Sequence, residues 1–133
     1  MAKKKIETFE DLLVWQKAME MVKKIYLVSQ DGKISKDFAL RDQLRSAALS
    51  IPTNIAEGFE RASTKEYLNF LNIAKGSAGE LRSLLQVATE IGFLEASQHT
   101  EMRNAVLEVS RYLSNQIKSL KQQALRASCK SPV

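Results

Sequence analysis

Four stretches of this chain repeat apolar residues at alternating three- and four-residue steps, a period that fits helices and not strands. In the first stretch Leu12, Trp15, Met19, Val22 and Tyr26 form one stripe, and Val14, Ala18, Met21, Ile25 and Val28 form a second beside it. At about 100° per residue the two stripes span an arc of roughly 200°, wider than a helix facing one core needs. The first stripe is read as the inward seam. The second is then surplus apolar surface for a neighbouring subunit.

Punctuation between the stretches divides the chain into four helices. Thr8 is a suitable N-cap for the first, with Glu10 and Asp11 in its positive first turn. Residues 29–37 contain Asp31-Gly32 and read as a loop. The second helix runs from about Asp37 to Glu57, with Leu40, Leu44, Ala47, Ile51 and Ile55 inward and Gly58 as a left-handed cap. Pro52 lies inside it, lacks a backbone donor and should kink it. Ser63-x-x-Glu66 is a capping box for the third helix, whose stripe runs from Tyr67 through Leu71, Ala78 and Leu85 to Ile91. Gly76 and Gly79 within it suggest close approach of another helix, and Gly92 stops it. Ser97 or Thr100 starts the fourth, along Met102, Val106, Val109, Leu113 and Ile117. Short connections make an all-α, antiparallel up-down-up-down four-helix bundle the expected fold. Its limits are a basic arm at 1–7, the bundle at 8–123 and a basic, fraying tail at 124–133.

The 133 residues include 44% apolar and 26% charged side chains, five Gly and two Pro, which suits one helical domain with its own core. Cys129 is the sole cysteine, so no internal disulfide can form. The lysines at the start have no apolar run behind them, and no segment approaches a membrane span, so a cytoplasmic protein is expected. The net charge of +5 is uneven. Lys3, Lys4 and Lys5 open the chain, and after Glu108 come Arg111, Lys118, Lys121, Arg126 and Lys130 with no acid. Such asymmetry suits a polyanionic partner, and a solvated tail is the plainer alternative.

Chemistry-bearing residues are sparse. His99 stands alone, with no second histidine or cysteine cluster, so no metal or cofactor is expected. No serine has a base in a recognisable pattern, and Gly76-x-x-Gly79 is mid-helix rather than at a strand-to-helix turn. The residues point to no enzyme. Arg103, Arg111, Lys118 and Lys121 fall on one outward sector of the fourth helix with Ser110 and Ser114, beside Arg126 in the tail. Cations spaced this way can neutralise phosphates of RNA or DNA without reading sequence. Asn54 shares the inward seam with Ala47, where a buried amide would need partners and could set packing register.

Phe9-Glu10-Asp11-Leu12 with Val14-Trp15-Gln16-Lys17-Ala18 resembles the start of the bacterial four-helix-bundle proteins known from 23S rRNA intervening sequences. The centre is more specific: Gln43-Leu44-Arg45-Ser46-Ala47-Ala48, then Ser50-Ile51-Pro52-Thr53-Asn54-Ile55-Ala56-Glu57-Gly58 and Arg61. It continues through Glu66-Tyr67, Phe70-Leu71, Ile73-Ala74, Gly76-Ser77 and Glu80-Leu81. Ser46 departs from the pattern, which has a second arginine beside Arg45. The resemblance implies a bundle that assembles as a ring, commonly a homopentamer, and a kinship with accessory proteins of diversity-generating retroelements. The family pattern includes Glu57 and Glu80, which could share acid–base or cation chemistry if they converge, or else pair with Arg41, Arg45 or Arg61. An oligomer interface is expected at Val14, Ala18, Met21 and Ile25 and at Ile73, Gly76 and Val87. Nucleic acid is the expected ligand and a protein partner the alternative.

Overall fold

The computed structural model describes residues 5–130, with side chains through Ser128. Lys3 and Lys4 of the basic arm, residues 131–133, and the side chains of Cys129 and Lys130 lie outside the described residues. All regular structure among them is helical: α1 (Leu13–Ser29), α2 (Gly32–Lys36), α3 (Phe38–Phe59), α4 (Thr64–Glu90) and α5 (Ala96–Lys130), preceded by a 3-10 turn at Phe9–Asp11. The four long helices form a bundle in which α1 packs on α3 and α5, and α4 on α3 and α5. Leu44, Ile51, Ile55, Leu71, Leu81, Leu85 and Leu113 are buried at its centre. Each contributes about 1.5–3 kcal/mol by leaving water.

Local chemistry places the helix ends. Asp11 folds the 3-10 turn by accepting from the backbone N–H groups of Glu7 (3.0 Å) and Thr8 (3.1 Å). Leu12 is then extended, so the helix expected from Thr8 begins only at Leu13. Asp37 caps α3 by accepting from the Leu40 N–H at 3.1 Å, and Ser63 caps α4 by accepting from Glu66 at 3.2 Å. At α5 the Gln98 side chain reaches back to the N–H of Glu95 at 3.0 Å. Gly92 ends the preceding segment with φ +81, where only glycine is unstrained.

Several expectations are corrected. The stripe of Val14, Ala18, Met21 and Ile25, assigned to an oligomer interface, is buried inside the subunit at 4% exposure or less. It has no surface to share. Small Ala18 and Val14 let α1 approach its neighbours closely, while bulky Trp15 and Tyr26 turn to the edge of the core, where each finds a partner of its own. Trp15 meets Phe9 edge-on at 5.3 Å, and Tyr26 lies beneath the Arg45 guanidinium at 4.5 Å. The expected loop after Ser29 contains α2, held because Ile34 is buried. Ile91, placed at the end of the α4 core stripe, is 50% exposed because α4 has already ended at Glu90.

Glycine roles also change. Gly58 is not a left-handed cap: α3 continues through it to Phe59, and Gly58 is buried. A Cβ there would lie 2.8 Å from the Phe70 Cβ, so this is where α3 and α4 need a missing side chain. Gly76, expected at a close approach, faces open space within the subunit, and Gly79 meets only the tip of Arg82 at 4.0 Å. The last correction concerns the tail. The helix does not lose its form at Ala124 but persists to Lys130, with residues 121–128 all exposed.

Candidate nucleic-acid interface

The outward face of α5 exists because its other face is occupied. Met102, Val106, Val109, Leu113 and Ile117 are buried, which turns Arg103, Arg111, Lys118 and Lys121 to solvent. At 1.5 Å per residue these four cations extend along about 27 Å of helix. Arg126 continues the run but is rotated away from it, and it too is exposed. None of the five forms an ion pair with a described residue. Ser110 and Ser114 are half-buried at the margin.

One acid of α5, Glu108, is already engaged. Glu108 receives the Lys17 ammonium of α1 at 3.3 Å, and Glu20 stands 3.6 Å from the same group. Hydrogen bonding and attraction from Glu108, then attraction from Glu20, hold Lys17 above its ordinary pKa. Lower on α5, Gln116 donates to the Tyr67 hydroxyl of α4 at 3.4 Å. Burial pushes that hydroxyl's pKa up, and the bond from Gln116 offsets part of the effect. Both contacts accord with the rotation of α5 that burial of Met102, Val106, Val109, Leu113 and Ile117 sets.

The other polar candidates are structural in their contacts. Arg61 bonds Glu57 at 2.8 Å one turn away and covers the Phe70 ring at 5.0 Å. Arg41 pairs with Asp42 at 3.0 Å and lies 4.8 Å above the Phe38 ring. Arg45 pairs with no carboxylate among the described residues. Its Nε donates to the buried Ser29 hydroxyl at 2.9 Å, and that hydroxyl donates to the Ile25 carbonyl at 2.7 Å. Asn54 is half-buried rather than fully inward, and its amide bonds the Ser50 carbonyl at 2.7 Å and hydroxyl at 2.9 Å. Ser50 in turn meets Ser77 of α4 at 2.8 Å.

Glu57 and Glu80 do not converge. Glu57 is tied through Arg61 to the level of Phe70, and Glu80 lies ten residues further along α4, about 15 Å by helical rise. Glu80 is exposed and makes no ion pair with a described residue. Among the described residues no three His, Cys, Asp or Glu side chains come together as a metal site. No described helix is long and apolar enough to cross a membrane. Sequence reasoning missed the Lys17–Glu108 clasp, the Arg45–Ser29 bond and Ser77. No local spacing signalled any of these three, because each joins different helices.

A family model for the 23S rRNA-intervening sequence protein matches residues 10–115. The chain belongs to that family. The match takes in the positions of Arg103 and Arg111 and ends before Lys118, Lys121 and Arg126. A crystal structure from Bacteroides thetaiotaomicron, a protein with unknown function from the S23 ribosomal protein family, is similar in fold and sequence. It is 26% identical, with a TM-score of 0.74 over 80% of this chain and 96% of that one. No curated protein matches the sequence. Neither the 23S rRNA-intervening sequence family nor that structure is described as an enzyme.

Proposed function

We propose that this protein is a non-enzymatic, ring-forming helical bundle that binds RNA or DNA weakly, through phosphates, on the outward face of α5. The observation that carries the reading is the row of exposed cations Arg103, Arg111, Lys118 and Lys121, unpaired among the described residues and on one face. Such a row attracts a phosphate backbone and does not distinguish bases. Family membership favours RNA over DNA as the natural ligand.

In this reading the long helices alternate in direction around an antiparallel bundle, and α3 bends at Pro52. The short turns at residues 60–63 and 91–95 support the alternation, since four or five residues cannot return a chain to the far end. The missing donor of Pro52 supports the bend, as do the side chains of Thr53 and Asn54, which bond the carbonyls of Leu49 (2.7 Å) and Ser50 (2.7 Å). Apolar surface left outside supports assembly: Ile73 is 51% and Val87 44% exposed, with Gly76 open between them. A pentamer, as the family resemblance implies, would multiply one modest basic face fivefold and raise avidity.

Filter binding of RNA at two salt concentrations, with light scattering on the same samples, tests the proposal. Binding should fall steeply with salt and differ little between sequences, and the scattering mass should be a multiple of 15.0 kDa. Binding that persists when Arg111, Lys118 and Lys121 are reversed in charge would overturn the phosphate face. A salt-insensitive protein partner would then be the better reading.

A further inference from the structure

Two unmatched surfaces lie at one end of the molecule. Gln116 stands against Tyr67 in the first turn of α4, and the rest of α5 runs past that end, because residues 121–128 are all exposed. Lys121, Ala124, Leu125 and Ser128 share one face of this overhang, and Leu125, at 66%, is the most exposed large apolar side chain described. These residues continue a helix that the bundle has already nucleated, so their length is no weakness. What sets them apart is an exposed face with nothing described packed on it.

The second surface is a groove of about 310 Å³ between α1 and α3, lined by Phe9, Trp15, Met19, Leu49, Pro52 and Ala56. The hydroxyl of Thr53, its polar group, is spent on the Leu49 carbonyl. Along α3 the same face continues from Ala56 to Glu60, and Glu10 follows Phe9 on the opposite wall. Both acids are exposed and neither forms an ion pair with a described residue. An apolar trough with acids next along its walls suits an apolar helix face that has a cation beside it, here Leu125 beside Arg126.

A chain cannot fill its own groove. The overhang leaves the bundle on α5, which packs on α1 and α4, while the far wall of the groove is α3, diagonally across. We propose that the α5 overhang of one copy seats Leu125 in the α1–α3 groove of the next. Because overhang and groove are different surfaces, the contact is head-to-tail, the kind that closes into a ring when the rotation allows. The inference rests on the ring reading above and names the segment that links its neighbours. It uses residues beyond the family match, which ends at 115.

Two single-cysteine proteins test it, both in a Cys129→Ser background: one carries Leu125→Cys, the other Ala56→Cys. Mixed and oxidised, they should form a disulfide-linked dimer at twice 15.0 kDa that neither protein forms when oxidised alone. Leu125→Glu should lower the scattering mass while leaving the helical circular dichroism of the bundle intact. If wild type scatters as an oligomer, yet Leu125→Glu keeps its mass and no cross-link forms, the overhang is not the link and the ring reading stands without it. If wild type itself is a 15.0 kDa monomer at micromolar concentration, both fail. An overhang that instead cross-links to a different co-purified protein also overturns the proposal.

Discussion

Gly58 and Phe70 stand so close that a single methyl group on the glycine would lie 2.8 Å from the Phe70 Cβ. Tyr67 closes the other side at 2.9 Å. The first atom met is the stem of a side chain, not a tip that can swing away. Gly58→Ala should therefore destabilise the bundle by about 1–3 kcal/mol, although alanine is the better helix former. Urea unfolding of wild type and variant measures this, and an equal or higher midpoint would show that α3 and α4 can part without loss.

Arg45 should matter for stability and not for nucleic acid. Its guanidinium lies over Tyr26 and donates to Ser29, joining the end of α1 to α3. Arg45→Ala should cost about 2 kcal/mol, from a charge-assisted hydrogen bond and a cation–π contact. Arg45→Lys should recover little, because an ammonium cannot stack flat and donate sideways together. Thermal melting gives the first effect. Unchanged RNA affinity in the folded variant checks the second.

Alkali should loosen the fold through two groups. Lys17 is held above its ordinary 10.5, so its pairing with Glu108 contributes fully below that value and is lost as pH climbs through the raised one. Tyr67 is raised above 10.0 by burial, so beyond that pH the unfolded chain releases a proton that the folded chain keeps, and stability falls again. Both slopes have the same sign. Melting temperature should decline above about pH 10, and Tyr67→Phe should flatten part of that decline. An identical alkaline profile in the variant would mean that the phenol ionises freely in the fold.

Salt dependence should report the α5 face one residue at a time. Each cation that neutralises a phosphate contributes about 0.9 to the slope of log affinity against log salt on duplex nucleic acid. Arg111→Ala and Lys118→Ala should each lower the slope by about that amount, and Arg61→Ala should not, since Arg61 is already paired with Glu57. A common slope for all three would place the phosphate contacts elsewhere.

How much of this was legible in the sequence follows from what each residue had to decide. Periodicity found the four long helices and the core side of α5, because Met102 through Ile117 offer only one apolar face. On α1 it failed, since two stripes were equally apolar and the choice between them depended on volume: Ala18 and Val14 fit the interior where Trp15 does not. Pattern could not see Ile34, a single anchor in a polar stretch, or tell a cap from a contact at Gly58. The basic face was readable because charge and exposure coincide there. Its partners across helices, Lys17 to Glu108 and Gln116 to Tyr67, depend on tertiary rotation, which no local spacing records.

The bond between Ser50 and Ser77 sets a limit on motion. If α4 slid by one helical turn along α3, about 5.4 Å, it would carry Ser77 away from Ser50 and press the Phe70 stem past the notch at Gly58. These two helices are locked in register, like a bolt in its slot. Between α1 and α5 the described polar tie is the Lys17–Glu108 pair, partly open to water and weakened by salt. Breathing of the bundle should thus begin along the α1–α5 seam, and amide exchange should be fastest there and slowest in the α3–α4 pair.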